Sequence, residues 1–180
     1  KFEDALKDVQ AAKQHVASLS LQQIADIYSG KQSRWQDGTP IRVILRPRTD
    51  ADTKSLAAFS TAVGEGVAKS LLREGMIVAN TDQDMATELE RLPGAIGTTT
   101  LGLIRAEKRQ LMAIPIEGVV PTAQAVAEGR YKHVRSSYMV TKGAPAAEVA
   151  RFMEFVQSPH GKRILIELGH VVPGEPRAAR

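Results

Sequence analysis

The feature that most constrains the fold is an alternation of helix-like and strand-like segments, separated by turns rich in glycine, proline and aspartate. Residues 21–28 place apolar side chains at helical spacing between Ser20, a good N-cap, and Gly30, a typical helix stop. Residues 41–45 form a β-branched run that predicts a strand. Alternation of this kind favours an α/β fold, a mixed sheet flanked by helices.

The rest of the chain continues the pattern. A helix is predicted from near Thr53 to Leu71, and another after Thr81, which with Asp84 forms a relaxed capping box. The remaining predictions are strands over 76–80 and 134–142, a short strand or loop over 95–100, an extended run over 111–118, and helices over 2–13, after Pro121, over 145–157 and over 159–168. Residues 174–180 are predicted to form a flexible tail.

Composition excludes several classes of protein. The 180 residues contain no cysteine, which rules out thiol catalysis, disulfides and thiolate metal sites. No apolar run approaches the ~20 residues that span a bilayer, and no signal peptide or membrane anchor is recognised, so this chain is not expected to insert into a membrane. The net charge of +4 indicates only a weak preference for anions.

Catalytic, metal and nucleic-acid sites find no support in the sequence. The four histidines lack the spacing of a helical metal site, and no G-x-S-x-G motif is present. We therefore expect no enzyme activity, no metal and no cofactor. Basic residues are interleaved with acidic ones, which argues against nucleic-acid binding. The densest basic stretch, residues 130–135, is interpreted as the solvated entrance to a strand.

Several segments, taken in order, resemble one known family. LSLQQIADIYSGKQSRWQDGTPIRVILR, LPGAIGTTTLG and the ending YMVTKGAPAAEVARFMEFVQSPHGKRILIELGHVVP are similar to the phosphate-binding-protein branch of the type II periplasmic solute-binding proteins, the substrate-binding components of ABC importers. The order and spacing agree over roughly residues 17–173. The single tryptophan, Trp35, is a structural residue in that pattern.

The resemblance implies a binding protein of two lobes that holds its ligand in a cleft and performs no chemistry. It implies residues 1–173 as one periplasmic-binding-protein-like domain: the second lobe plus the C-terminal helices of the first, without the N-terminal part of the first lobe. The implied ligand is an inorganic oxyanion, most of all phosphate. The implied partners are ABC transporter membrane subunits, and the implied location is periplasmic or extracytoplasmic.

In that family much of the ligand contact comes from the loop after the strand that matches residues 41–45, and here this loop is residues 46–54. The first turn of a helix offers unpaired N–H groups to an oxyanion, and a guanidinium can bind two of its oxygens. The candidate ligand-binding residues are Arg46, Arg48, Thr49, Asp50, Asp52, Thr53 and Thr98. Either Arg46 or Arg48 matches the family's arginine, and Thr53 matches its threonine.

The loop departs from the family pattern where glycines are expected. Asp50 and Asp52 place acceptor-only carboxylates beside an anion site, and Ala51 keeps the backbone from approaching a ligand as closely as glycine would. One aspartate could accept a proton from a hydrogen-bearing oxyanion; alternatively, one of them simply caps the next helix. A second hypothesis is therefore a sensor or interaction module that keeps the fold with a degenerate anion site.

Overall fold

The computed structural model describes residues 17–172, so the predicted helix over 2–13 and the tail over 174–180 lie outside the described residues. The secondary structure in chain order is α1 (Leu21–Ser29), β1 (Arg42–Leu45), α2 (Ala51–Ala57), α3 (Thr61–Ser70), β2 (Ile77–Val78), α4 (Asp82–Arg91), β3 (Ala95–Ile96), α5 (Leu101–Ala106), α6 (Ala123–Ala127), α7 (Ala147–Gln157) and α8 (Pro159–Glu167).

The helix boundaries follow local capping signals. At the start of α1, Ser20 accepts a hydrogen bond from the Gln23 backbone N–H, and the Gln23 side chain accepts one from the Ser20 backbone N–H. Gly30 ends the helix in the left-handed conformation, with φ 82°. Thr81 and Asp84 form the same reciprocal box at α4. These caps satisfy backbone groups that a helix end leaves free, as predicted.

The sheet of the described residues has three parallel strands in the order β2-β1-β3. Ile44 pairs with Ile77, and Val43 pairs with Ile96. Each parallel pairing needs a crossover connection, which the helices between the strands supply. The predicted α/β class with flanking helices is confirmed, but the three strands of the described residues are all parallel rather than mixed.

The main core cluster joins α1, α3 and the sheet. Ile27, Leu45 and Val67 are all less than 5% exposed and belong to this cluster, and Trp35 packs at its margin. The indole Nε1 of Trp35 donates a hydrogen bond to the carbonyl of Gly94 at 3.0 Å. Trp35 therefore ties two distant turns together, which is the structural role expected for it.

The long helix predicted from Thr53 to Leu71 is divided in two. Ala58 ends α2, and the Ser60 hydroxyl accepts a hydrogen bond from the Val63 backbone N–H to start α3. Apolar periodicity runs through the break because both helices bury residues in the same core, Leu56 from α2 and Val63 from α3. The prediction of one continuous helix was wrong because this N-cap was overlooked.

Two predicted strands in the C-terminal half are not formed. Residues 134–142 have no regular secondary structure, and the extended run over 111–118 contributes only isolated bridges at Ile116. Val134, Tyr138 and Val140 are at least half exposed. The alternating pattern therefore does not bury one set of side chains on a sheet face, which is what would stabilise a strand here. Two short helices lie near these segments: α5 precedes the first and was not predicted, and α6 lies between the two.

The last two helices pack mainly on each other. No residue of α7 is buried, and Gly161 alone is buried in α8. Arg105 of α5 donates a hydrogen bond to the Glu167 carbonyl at 3.2 Å and so joins α8 to the rest of the molecule. Within residues 17–172, no helix has the length and hydropathy of a membrane span.

Candidate functional site

The candidate site lies at the carboxyl ends of the three parallel strands. Arg46 directly follows β1, Asp82 begins the helix after β2, and Thr98 lies two residues beyond β3. Carboxyl ends of parallel strands meet at one edge of a sheet, where α/β proteins commonly bind ligands. The topology therefore brings together side chains that are far apart in sequence.

Arg46 is the central residue of this site and is 7% exposed. Its Nη2 atom contacts the Asp50 carboxylate at 2.8 Å and the Asp82 carboxylate at 3.2 Å. Its Nε and Nη1 atoms are buried and have no hydrogen-bond partner among the described residues. A buried donor without a partner is costly, so Arg46 retains an unused capacity to bind an acceptor.

The carboxylates around Arg46 shift one another's protonation. Burial alone would lower the pKa of Arg46, but the hydrogen bond to Asp50 and the charges of Asp50, Asp82 and Asp52 raise it overall. Burial alone would raise the pKa of Asp50, but hydrogen bonds from Arg46 and the Asp52 backbone N–H lower it overall. The Arg46–Asp50 pair is therefore firmly charged at neutral pH.

Asp52 has a different environment, two residues further on. It is 8% exposed, its Oδ1 pairs with Arg135, and its Oδ2 is buried without a hydrogen-bond partner among the described residues. Burial raises the pKa of Asp52, and the charges of Asp82 and Asp50 add to this, against the opposing effect of Arg135 and Arg46. Asp52 thus holds a proton more readily than Asp50 does.

Thr53 links the loop to the strand. Its hydroxyl donates a hydrogen bond to the Arg46 carbonyl at 3.2 Å. Thr53, Arg46 and Thr98 line a cavity of about 10 Å³ together with apolar side chains that include Leu56 and Val67. This volume admits about one water molecule, so a tetrahedral oxyanion could reach Arg46 only after neighbouring side chains move.

The remaining candidate residues differ in how closely they approach Arg46. Arg48 and Thr49 are exposed on the loop. Asp50 caps α2 by accepting the Asp52 backbone N–H at 2.8 Å, so the capping alternative describes one of its contacts. Thr98 is half-buried at the cavity. The structure thus gathers Arg46, Asp50, Asp52, Thr53 and Thr98 and leaves Arg48 and Thr49 on the surface.

Two residues of this site were missed by sequence reasoning. Asp82 could have been found, because it follows a predicted strand parallel to the one before Arg46. Arg135 carried no such signal. Its stretch, residues 130–135, is largely exposed, as expected, but no strand follows it. Within the described part of the chain, no group of three or more histidine, aspartate or glutamate residues is arranged to hold a metal ion.

The chain is similar to one family model and to a protein of known function. The family model described as a PBP superfamily domain matches residues 8–160. The phosphate-binding protein PstS of Bacillus subtilis is 24% identical over 168 residues, which are 92% of this chain and 54% of that protein. The chain therefore spans about half the length of this curated relative.

Solved structures of similar fold include a PstS protein and a phosphate transport receptor. PstS from Borrelia burgdorferi has a TM-score of 0.57 at 19% identity, over 86% of this chain and 63% of that one. An ABC-type phosphate transport receptor from Vibrio cholerae has a TM-score of 0.55 at 19% identity, over 87% and 64%. These likenesses concern the fold. The names of the relatives describe binding and transport proteins, in line with the expectation that the chain is not an enzyme.

Proposed function

Because the chain belongs to the family described as a PBP superfamily domain, we propose that it is an oxyanion-binding lobe of a solute-binding protein, with phosphate as its ligand. The observation that carries this proposal is Arg46. A guanidinium that is 7% exposed, with two nitrogens unpartnered, needs an acceptor that the described residues do not supply. An oxyanion is the chemical group that best satisfies a buried arginine.

The neighbours of Arg46 suit the same ligand. Thr53 and Thr98 line the same cavity as Arg46. The hydroxyl of Thr53 already donates to the Arg46 carbonyl, so Thr98 is the threonine whose hydroxyl can donate to a second oxygen of the anion. Asp50 and Asp82 already occupy Nη2, so an incoming anion would bind at Nε or Nη1, close to two carboxylates that repel it. We therefore expect affinity weaker than that of a site whose arginine is free.

Calorimetric titration of the chain with phosphate, sulfate, molybdate and tungstate tests the proposal. We expect heat with phosphate, and a loss of affinity of roughly tenfold or more in Arg46→Gln, because a charge-assisted hydrogen bond is lost. Arg48→Gln is the matched control, since it removes the same charge from an exposed position of the same loop. Circular dichroism would verify that both variants fold.

Two results would contradict this proposal. The first is the absence of heat with all four anions in the unmodified chain. The second is equal weakening by Arg46→Gln and Arg48→Gln, which would mean that the anion responds to the general charge of the loop rather than to the buried guanidinium.

A second candidate function is a sensor or interaction module with a degenerate anion site. It is favoured by one observation: two carboxylates hold Arg46, so its charge is neutralised from within the protein. Changing Thr49 and Ala51 to glycine and Asp50 to serine restores the family-like turn and removes one competing carboxylate. Anion affinity that appears only in this triple variant would support the second candidate over the first.

Transport is the remaining part of the proposal. We propose that the protein works outside the cytoplasm and delivers its anion to the membrane subunits of an ABC importer. Deletion of the gene should then lower uptake of radiolabelled phosphate by the cells that encode it, at low external phosphate. Restoration by the unmodified gene but not by an Arg46→Gln gene would tie uptake to this site; full uptake in the deletion strain would refute the transport role.

A further inference from the structure

We propose that Arg135 is a second guanidinium of the oxyanion site, an assignment that rests on the proposed function. Arg135 lies 83 positions from Asp52 in sequence, yet its Nη1 pairs with the Asp52 carboxylate directly beside Arg46. Its side chain is 38% exposed and so remains accessible from solvent, whereas Arg46 is 7% exposed. Both guanidiniums act on the same two carboxylates, Asp50 and Asp52, so an anion at Arg46 would lie within electrostatic reach of Arg135.

The position of Arg135 is held by contacts rather than by a strand. His133, two residues earlier, packs its ring against that of Phe59 with 3.8 Å between the ring centroids. Tyr131 lies edge-on to the same histidine, and its backbone N–H donates to the Ala125 carbonyl at 3.0 Å. These contacts dock the segment of residues 131–135 next to α2, which carries Asp52.

The charged cluster at this site consists of Arg46, Asp50, Asp52 and Asp82, and its charges explain why an anion would need Arg135 as well. Without it, Arg46 would stand alone against three carboxylates, those of Asp50, Asp52 and Asp82, which act on one another electrostatically. Arg135 lowers the pKa of Asp50 and opposes the rise in that of Asp52, so its charge is felt throughout the cluster. An oxyanion bound to Arg46 alone would meet three carboxylates against one guanidinium, and Arg135 adds a second guanidinium that weakens this repulsion.

Asp52 explains how Arg135 is kept in place while no ligand is bound. One carboxylate oxygen holds the guanidinium, which leaves the other guanidinium nitrogens available to a ligand. Since an arginine presents five N–H donors, pairing with Asp52 and with an oxyanion can occur together. Asp52 would thus act as a positioning residue and Arg135 as a ligand contact.

The test compares phosphate affinity in a double variant and in a control variant of the full chain. Arg135→Gln alone would leave Asp52 buried without a partner, so the double variant Arg135→Gln/Asp52→Asn is used, which removes both charges and keeps the fold. We expect its phosphate affinity to fall roughly tenfold or more. Lys132→Gln is the control, because Lys132 is an exposed cation of the same segment.

A second readout separates ligand contact from a structural role. Phenylglyoxal modifies accessible arginines, and peptide mass spectrometry reports the rate at each site. We expect phosphate to slow modification of Arg135 several-fold and to leave the exposed Arg130 unaffected. Unchanged affinity in the double variant, or equal modification rates of Arg135 with and without phosphate, would overturn the assignment. Failure of the unmodified chain to bind phosphate would instead refute the proposed function, and this assignment with it.

Discussion

Asp50 and Asp52 are separated by one residue, yet the fold gives their carboxyl groups opposite behaviour. Asp50 receives hydrogen bonds from Arg46 and from a backbone N–H, and its pKa is lowered in spite of burial. Asp52 is more deeply buried and has an oxygen with no partner among the described residues, and its pKa is raised. The two carboxylates should therefore contribute to stability in opposite directions as the pH changes.

We expect Asp50→Asn to be less stable than the unmodified chain by about 1 kcal/mol at pH 7, with a difference that shrinks as the pH falls below ~4. Asparagine caps a helix as well as aspartate does, so this change isolates the charge. Because the pKa of Asp50 is lowered in the folded state, its contribution is present above the unfolded pKa and lost as the pH falls through the folded one. Urea unfolding at pH 7 and pH 3.5 measures the difference in stability between the variant and the unmodified chain.

Asp52→Asn should show the opposite dependence of stability on pH. With a raised folded pKa, Asp52 contributes stability that is present below the unfolded pKa and lost as the pH rises through the folded one. The variant should therefore gain stability relative to the unmodified chain between pH 3.5 and pH 7. A difference that stays constant with pH in both variants would mean that neither carboxylate has a shifted pKa.

At the scale of elements, the close approach of α1 and α3 decides how the core is built. Gly66 of α3 is buried, and a Cβ added there would lie 2.7 Å from the carbonyl oxygen of Ala25. Glycine weakens a helix by about 1 kcal/mol relative to alanine, yet at this position it permits backbone-to-backbone packing. The cost in helix propensity is thus offset by the contact between helices.

We expect Gly66→Ala to destabilise the protein by about 2 kcal/mol, although alanine is the better helix former, because the backbone of α1 must move away. Ala68→Gly, at an exposed position of the same helix, should cost about 1 kcal/mol through propensity alone. Thermal or urea unfolding of both variants checks the order. A stabilised Gly66→Ala variant would show that the two helices are not packed this closely.

Elements whose signals are local were predictable from the sequence, and those that depend on distant contacts were not. Ser20 with Gln23 and Thr81 with Asp84 mark helix starts within four residues, so α1 and α4 were placed correctly. The site was predictable where it follows a strand directly, as with Arg46. Residues 134–142 alternate like a strand, but pairing requires a neighbouring strand, which no local pattern reveals. Arg135 was missed for the same reason.

At the scale of the whole molecule, burial is unevenly distributed. Within residues 17–172, the buried hydrophobic residues lie between Leu19 and Ile96, with Ala125 as the exception. The apolar side chains of α7, among them Phe152 at 60% exposure, are left largely open to solvent. Because buried apolar contacts set the free energy of local opening, the two halves of the described chain should differ in local stability.

Hydrogen–deuterium exchange can measure this difference. We expect backbone amides of α7 and α8 to exchange roughly a hundredfold faster than those of α1 and α3, since the former can open without exposing the core. Peptide-resolved mass spectrometry at pH 7 reports both halves in one experiment. Equal protection would mean that another surface covers the exposed face of α7 in solution.

The strand order β2-β1-β3 also determines when the site can exist during folding. β1 is the central strand, and it is completed only when Ile77–Val78 has joined one side and Ala95–Ile96 the other. Both pairings close long loops, which is slow because chain entropy is lost before any contact compensates for it. Arg46 obtains Asp82 as a neighbour only after the first of these closures. An anion present during refolding would thus meet an assembled site only near the end of the process, and it would slow unfolding more than it speeds folding.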